Sequence, residues 1–253
     1  MNESWFATLR GSLETLPHQF LFVTVSGAHL YGFASPDSDV DLRGAYTLPL
    51  ASVIRLDNPI ETVTSTFEQS GCEIDLVVHD IKKFLLLLLN KNGYALEQLY
   101  SPLVVQGGTA FEELRVLGRG CITRHLYHHY RGFSRNQIDR YESESPRRVK
   151  TLLYIYRVLL TGIYLLETGR VEANLLHLNE LFRLPFIPDL IAQKKREKAV
   201  LIEADWAAHK MAIGHLQVRL ETAFERSSLP EEPLNRPALD EFLVRVRLGT
   251  QNG

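Results

Sequence analysis

The sequence predicts an α+β protein in which a small strand-rich lobe, residues 1–105, precedes an all-helical lobe, residues 106–253. Short β-rich runs bounded by turn residues are confined to the first lobe, whereas apolar residues recur at helical spacing after Ser101–Pro102. The charge also changes sign there: residues 1–105 carry 6 basic and 12 acidic residues, whereas the remainder has a net charge of +4. Strands followed by helices are typical of α+β proteins.

The first lobe is predicted to contain a helix at residues 2–17, ended by Pro17, and a helix at Asp80–Lys91 that is apolar on most of its surface. Between these helices, four β-rich runs predict strands at Phe20–Val25, Val40–Leu48, Thr62–Phe67 and Ile74–Val78. An apolar helix directly after a strand is expected to pack against the sheet, so these elements form one core.

The second lobe is predicted to be a set of amphipathic helices. The strongest, Arg147–Thr168, has a continuous apolar stripe and is closed by Gly169. A further helix is expected at 110–130, a polar loop at 131–146, and more helices near 174–183, 198–226 and 236–248. The basic run Lys194–Lys198 is interpreted as solvated helix surface.

Composition narrows the class of protein. The 253 residues are 45% hydrophobic and 23% charged, as in ordinary globular proteins. Cys72 and Cys121 are too few and too far apart for a disulfide framework or a thiolate zinc site, and free thiols fit a reducing compartment. The longest apolar run, Phe84–Leu89, is far shorter than the ~20 residues of a membrane span. We therefore expect a cytoplasmic protein with no membrane partner.

The segment Val25–Gly44, VSGAHLYGFASPDSDVDLRG, carries the chemical signal. It places a glycine turn about a dozen residues before Asp39 and Asp41, which form a D-x-D pair in an apolar run. Alternate residues of a strand share a face, so the two carboxylates are expected side by side, where they repel each other. A divalent cation relieves that repulsion, and Mg²⁺ is held by such carboxylates together with substrate phosphates. The pattern therefore indicates nucleotide chemistry.

These residues resemble a known family. The pattern G-x-x-x-Y-G, then S-D-x-D-x-R-G, then a third acidic strand is similar to the DNA polymerase β-type nucleotidyltransferase superfamily, and in particular to its RNA-repair-associated (RlaP-like) branch. The matching residues are Gly27, Tyr31, Gly32, Ser38, Asp39, Asp41, Arg43, Gly44 and Asp75, with further likeness at Leu96–Pro102 and Arg148–Gly169. The resemblance implies a mixed-sheet catalytic domain like the polymerase β palm, followed by a helical domain that binds nucleotide and acceptor.

The resemblance also implies a reaction. Asp39, Asp41 and Asp75 would be the catalytic residues and would ligate two Mg²⁺ or Mn²⁺ ions, although Glu73 shares a face with Asp75 and is the alternative third ligand. An acceptor hydroxyl would attack the α-phosphorus of an NTP and release pyrophosphate. The backbone amides of Gly27 and Ala28 would receive the other phosphates.

Two positions leave alternatives open. The RlaP-like branch has Gly-Ser at the phosphate turn, but here Gly27 is followed by Ala28, and the missing hydroxyl costs about 1–2 kcal/mol of phosphate binding unless another donor replaces it. We therefore expect a weakened enzyme or a compensating donor. Arg43 is expected either to orient a phosphate or to pair with one of the aspartates.

Basic residues are concentrated in Arg119–Lys150, which holds eight Lys or Arg residues against three acids. This segment is interpreted either as a solvated surface or as a wall that collects triphosphate or RNA. Lys150 and Arg157 are seven residues apart, hence on one helix face, and are the candidate NTP contacts on the predicted helix.

The favoured function is a nucleotidyltransferase that adds NMP to an acceptor hydroxyl, with an RNA 3′ end as the favoured acceptor. A protein side chain, as in AMP-modifying enzymes of antitoxin systems, and a small molecule such as an aminoglycoside are alternative acceptors. A non-catalytic nucleotide-binding regulator, which the change at Ala28 favours, and a toxin-neutralising partner that acts by occlusion are alternatives of a different class.

Overall fold

A computed structural model describes residues 3–196 and 203–249 of the chain. The described residues divide into two compact units. The sheet unit comprises those of Met1–Gly27, Asp39–Cys121 and Pro233–Gly253, and the helical unit comprises those of Ala28–Ser38 and Ile122–Glu232. The division differs from the predicted single boundary at residue 105, because the end of the chain returns to the sheet unit and part of the motif belongs to the helical unit.

One mixed sheet organises the sheet unit. Its strands are β1 (Gln19–Val25), β2 (Val40–Thr47), β3 (Thr62–Gln69), β4 (Cys72–Asp80) and β5 (Val104–Gln106), in the order β3-β4-β2-β1-β5. Strands β2 and β4 are parallel, and the other neighbours are antiparallel. The α+β class and the four predicted strands are confirmed. The three-residue β5 was not predicted because it is too short to show a period of two.

Helices account for most of the remaining described residues. In chain order they are α1 (Glu3–Glu14), α2 (Gly27–Leu30), α3 (Leu50–Val53), α4 (Ile81–Leu89), α5 (Gly93–Leu99), α6 (Thr109–Gly118), α7 (Leu126–Ser143), α8 (Val149–Thr168), α9 (Leu175–Phe182), α10 (Ile187–Lys195), α11 (Glu203–Arg226) and α12 (Arg236–Gly249). The helices predicted at 2–17, 80–91, 147–168, 174–183 and 236–248 are confirmed. Residues 2 and 198–202, also predicted to be helical, lie outside the described residues.

The sheet is covered on both faces within its unit. On one face, alternate strand residues such as Leu42 and Leu76 join Leu9 and Leu13 of α1 in a hydrophobic core. On the other face, Phe22 of β1 stacks on Phe111 of α6 at 4.7 Å and meets Phe84 of α4 edge-on at 5.1 Å. Because side chains alternate along a strand and Phe22 pairs with Ala45, odd-numbered β2 residues lie on this second face.

The helical unit is built around α8, against which α7, α9, α10 and α11 pack. This helix is long and apolar enough to cross a membrane by length and composition alone. However, 83% of its most apolar 18-residue stretch is buried inside the protein, as expected for the core helix of a bundle. Its left-handed Gly169 ends the helix, as the sequence predicted.

The loop predicted at 131–146 is wrong, because α7 continues through residue 143. The error has a physical cause. The buried side of α7 uses Tyr127, Tyr130, Ser134 and Tyr141, and tyrosine and serine produce a weak hydrophobic period. The helix predicted over 110–130 is interrupted by a 3-10 turn at Arg119–Cys121, and α10 was not predicted.

Candidate active site

Two of the three predicted acids lie directly opposite each other. In the parallel pairing of β2 with β4, Asp41 is the register partner of Asp75. Residues paired in this way project from the same face of a sheet, and both side chains are partly exposed, by 30% and 39%. The sequence placed these carboxylates on two separate segments, and the register brings them together.

Arg43 lies between these two carboxylates. Its Nη2 donates to Asp41 Oδ1 at 2.7 Å and to Asp75 Oδ2 at 2.9 Å. Its Nη1 donates to the backbone oxygens of Leu42, at 2.8 Å, and of Asp75, at 2.6 Å. Of the two roles predicted for Arg43, the structure therefore has the pairing with aspartate, and with two aspartates rather than one.

Asp41 and Asp75 could together hold a hard cation, and in the structure the Arg43 guanidinium lies between their oxygens. Carboxylate oxygens are the ligands that Mg²⁺ and Mn²⁺ prefer. Within residues 3–196 and 203–249, no group of three or more His, Cys, Asp or Glu side chains is arranged to hold a metal ion.

Asp39 lies one residue before β2 and is exposed. Its charge acts on Cys72 at the start of β4: burial raises the pKa of that thiol, and the negative charges of Asp39 and Glu73 raise it further. Asp39 therefore lies at the end of the sheet where β2 and β4 begin, and Glu73 is also exposed there.

Gly27, in the glycine turn, packs against Asp41. Gly27 has a φ of +60°, and a Cβ there would lie 1.7 Å from Asp41 Oδ2, so only glycine fits. The amide of Ser26 donates to the backbone oxygen of Asp41 at 2.8 Å. Gly27 of the turn predicted to receive phosphates and the predicted metal ligand Asp41 are therefore neighbours within the sheet unit.

The next motif residues, Tyr31 and Gly32, belong to the helical unit. Tyr31 is buried, and the guanidinium of the fully buried Arg157 lies 4.0 Å from its ring centroid. Gly32 has a φ of +83°, and a Cβ there would lie 2.4 Å from Asn174 Oδ1. The amide of Leu175 donates to the Tyr31 backbone oxygen at 3.0 Å, so this part of the motif is packed on the start of α9.

The two predicted NTP contacts on α8 have different surroundings. Lys150 is exposed near the start of the helix, whereas Arg157 is buried among aromatic rings. Burial and the Arg157 charge together lower the pKa of nearby His129 to about 4. Ala28, the altered residue of the predicted phosphate turn, is buried in the helical unit.

Sequence reasoning missed a contact between α10 and the motif. Lys194 donates to the hydroxyls of Ser35 and Ser38, the latter at 2.9 Å, so its interpretation as solvated surface is wrong. Both serines lie within the four residues before Asp39, and this nearness to the D-x-D pair was the available signal. Lys194 itself stands in a run of basic residues, and nothing in that run indicates that this lysine contacts the two serines.

Sequence reasoning also missed a polar cluster farther along β4. Lys83 Nζ donates to Thr62 Oγ1 at 2.6 Å, and His79 Nδ1 lies 3.0 Å from the same hydroxyl. Burial lowers the pKa of His79, and the positive charges of Lys83 and Arg43 lower it further. His79 shares a face of β4 with Asp75, so this neutral imidazole belongs to the same side of the sheet as the acids.

Comparison with known proteins gives a family. The model of the RNA repair pathway DNA polymerase beta family (RlaP) matches residues 1–245. An uncharacterized protein of Methanocaldococcus jannaschii, MJ0002, is 30% identical over 219 residues, which are 84% of this chain and 88% of that protein. A nucleotidyltransferase-like protein from Exiguobacterium sibiricum is similar over 96% of this chain and 79% of its own, with 14% identity and a TM-score of 0.33.

Proposed function

The chain belongs to the RNA repair pathway DNA polymerase beta family, and we propose that it is a metal-dependent nucleotidyltransferase that transfers NMP from an NTP to an acceptor hydroxyl. The observation that carries this proposal is the convergence of Asp41 and Asp75 on a single guanidinium nitrogen. It supports a site where two carboxylates share one cation.

Asp39, Asp41 and Asp75 are the residues that would hold Mg²⁺ or Mn²⁺, with Glu73 as the alternative to Asp75. When bound, the ions supply positive charge to the attacking and leaving oxygens. Arg43 keeps Asp41 and Asp75 together without metal, because its guanidinium offsets their repulsion. The exposure of both carboxylates supports exchange of this partner for an ion.

The proposed reaction requires only the NTP and the acceptor hydroxyl as reactants. The acceptor oxygen forms a bond to the α-phosphorus, the bond from that phosphorus to the bridging oxygen breaks, and pyrophosphate leaves. The acceptor proton passes to Asp75, which acts as general base. The amides of Gly27 and Ala28 would donate to phosphate oxygens. Lys150 is exposed on α8 and stays a predicted NTP contact. Arg157 acts through Tyr31, which it holds in the motif.

RNA is the favoured acceptor for two reasons. The family is described by its place in an RNA repair pathway. In addition, the exposed side of α7 carries Arg131, Arg135 and Arg140 with Asp139 as the intervening acid. Successive turns of a helix are 5.4 Å apart, so such arginines suit the repeating charge of a nucleic-acid backbone.

The test is transfer of label from each α-labelled NTP, with Mg²⁺ or Mn²⁺, to a mixed pool of RNA, protein and small acceptors. We expect label on RNA 3′ ends and none with Asp39→Asn/Asp41→Asn. Asp75→Asn is expected to abolish transfer, whereas its exposed neighbour variant Glu73→Gln retains it. The reverse result would assign the third ligand to Glu73. Transfer that survives the double substitution would contradict the proposed site.

Ala28 favours one second candidate, a non-catalytic nucleotide-binding regulator. The same experiment separates the two functions. Binding of NTP with Mg²⁺ but no release of pyrophosphate with any acceptor would favour the regulator. Label on protein or on small molecules, rather than on RNA, would retain the transferase activity and change only the acceptor class.

A further inference from the structure

A row of threonines lies beside the acids, on the edge strand β3 of the sheet. Thr66 is the register partner of Asp75 of β4. Farther along the same two strands, Thr62 is the register partner of His79. Register partners project from the same face of a sheet, so Thr62, Thr64 and Thr66 lie on the face that carries Asp75. We call these three residues the threonine row.

The packing of β3 agrees with this orientation. Val63 and Phe67, on the alternate positions of the strand, pack against the hydrophobic core on the other face of the sheet. Thr64 and Thr66 are exposed, whereas Thr62 is partly buried. The threonine row is therefore open to solvent over most of its length.

A lysine lies at one end of the threonine row. Lys83 Nζ, on α4, donates to Thr62 Oγ1 at 2.6 Å. An ammonium group has three N–H donors, and this bond uses one of them, so the charge can also bind an anion. Because His79 is four residues after Asp75 and a strand rises about 3.3 Å per residue, this end of the row lies about 13 Å from Asp75.

The opposite end of the same face is acidic. Glu68 of β3 and Glu73 of β4 are register partners beyond Thr66 and Asp75, and both glutamates are exposed. Their negative charges repel an anion at this end, whereas Lys83 attracts one at the other end. A polyanion whose terminus lies at Asp75 is therefore directed along the threonine row toward Lys83.

The threonine row also lies on the side of the acids where an acceptor is expected. Gly27, whose amide is predicted to receive phosphates, lies against Asp41 of β2, and β2 and β3 flank β4 on opposite sides. In phosphoryl transfer the attacking and leaving oxygens are roughly in line. An NTP whose departing phosphates lie at Gly27 therefore has its acceptor on the β3 side of Asp75.

We propose that the threonine row and Lys83 bind the 3′ end of an RNA acceptor, with the terminal hydroxyl at Asp75 and a backbone phosphate at Lys83. The inference rests on the proposed function. Threonine hydroxyls both donate and accept, which suits ribose hydroxyls and phosphate oxygens. A lysine about 13 Å from the reacting end favours an acceptor with an anion at that distance. An RNA end carries such an anion, whereas an aminoglycoside is a polycation.

The first test is the salt dependence of RNA binding, measured by fluorescence anisotropy of a labelled oligoribonucleotide with the full chain and Mg²⁺. Each phosphate contact on a single strand contributes about 0.7 to the slope of log K against log salt concentration. Lys83→Ala should lower the slope by about that amount and weaken binding about tenfold at low salt. Lys82→Ala, on the exposed next residue of α4, should keep the wild-type slope. Equal slopes in wild type and Lys83→Ala would refute the phosphate contact.

Neutral linkages locate the contacted phosphate. In a series of RNAs, one phosphate at a time, counted from the 3′ end, is replaced by a methylphosphonate. Wild type should lose affinity at one linkage close to the 3′ end. In Lys83→Ala the same replacement should cost nothing further, because two changes that remove one interaction are not additive. An equal loss at that linkage in both proteins would contradict the assignment of Lys83.

The transfer assay tests the hydroxyl nearest the acids. Thr66→Val keeps the β-branched shape and removes only the hydroxyl beside Asp75. It should raise KM for RNA about 2- to 10-fold and leave KM for NTP unchanged, and Thr66→Ser should restore most of the wild-type value. If Lys83→Ala does not fold, Thr66→Val tests the same face.

The outcomes separate this inference from the proposed function. RNA binding that depends on Lys83, without transfer by wild type, would overturn the function and support the site. Transfer to RNA by wild type, with the same RNA KM in Lys83→Ala, Thr66→Val and Lys82→Ala, would overturn the site and retain the function. A rise in KM for NTP alone would show that this face binds nucleotide. A KM for a protein acceptor that depends on Lys83 would assign the face to protein, and either of these last two results overturns the inference.

Discussion

Two arginine–aspartate pairs in the sheet unit differ in what surrounds them. Arg43 with Asp41 and Asp75 is partly exposed, at 19%, 30% and 39% of each side chain. Arg247 of α12 with Asp80 is buried, at 7% and 2%. Both sites join a guanidinium to carboxylates. The site of Arg43, the open pair, is accessible to water and ions, whereas the site of Arg247 and Asp80, the closed pair, is not.

The closed pair is surrounded by structural hydrogen bonds. Asp80 caps α4 by accepting from the Lys82 amide at 3.0 Å, and it also accepts from the Leu48 amide at 3.1 Å. Arg247 donates to Asp80 Oδ1 at 2.5 Å and to the Leu48 backbone oxygen at 2.7 Å. Burial and such complete pairing make a charge pair costly to break, whereas an exposed carboxylate pair can exchange its cation. Environment therefore separates a structural ion pair from a candidate site.

The sharpest test of this comparison is to neutralise one acid of the open pair. Asp41→Asn should lower nucleotide transfer by about 10⁴-fold, because the charge stabilisation of several kcal/mol at the reacting phosphate is lost. Its free energy of unfolding should stay near the wild-type value, since Arg43 retains Asp75. Single-turnover transfer and urea denaturation measure the two effects. A large loss of stability with normal transfer would reverse the roles of the pairs.

The matching change at the closed pair should act on stability instead. Arg247→Met leaves the Asp80 charge buried without its guanidinium, which should cost about 3–5 kcal/mol in urea denaturation. Arg245→Met, on the same helix, breaks the exposed pair of Arg245 with Glu113 and should cost less than about 1 kcal/mol. Equal costs for the two variants would refute the structural role of the buried pair.

Divalent cations should increase the free energy of unfolding, and they should do so only through the open pair. Mg²⁺ or Mn²⁺ at about 100 times its Kd should add about 2.7 kcal/mol to the free energy of unfolding. That gain corresponds to a rise in Tm of about 5–10 °C for a protein of this size. Arg247→Met should show the same increment from its lower starting point, and Asp41→Asn should lose it. An increment in Asp41→Asn equal to that of wild type would place the ion elsewhere.

The smallest effect is expected at Arg43. Without metal, Arg43→Met should lower the free energy of unfolding by about 1–2 kcal/mol, because Asp41 and Asp75 then repel each other with no cation between them. With saturating Mg²⁺ the deficit should shrink, since the ion offsets the same repulsion. Arg43→Lys is the control that retains a positive charge. A deficit that is the same with and without Mg²⁺ would show that Arg43 stabilises the strands independently of the ion site.

Arg43 shows which features of the candidate site could be predicted from the local sequence and which could not. The D-x-D spacing, Gly27 and Asp75 were each visible in the sequence, and the period of two predicted which acids share a face. The sequence could not choose between a phosphate and an aspartate as the partner of Arg43. That choice depends on the register of β2 against β4, which brings Arg43 within hydrogen-bond distance of Asp75, 32 positions farther along the chain.

The errors have the same origin. The polar residues of α7 and the basic run at Lys194 carry little hydrophobic period, so their structure depends on neighbours that the local sequence does not name. Lys194 meets Ser35 and Ser38 across more than 150 residues of chain. No short window of sequence contains both partners of such a pair.

By itself, the sequence determined the first four strands, the strongly apolar helices, the family and the three candidate acids, because periodicity and turn chemistry are local properties. Only the tertiary structure decided that Arg43 joins Asp41 to Asp75, that Arg247 closes over Asp80 and that Lys194 reaches the 28–38 segment. These are pairings of charged and polar groups between distant segments. Their partners are selected by strand register and helix packing, which emerge only when the whole chain is folded.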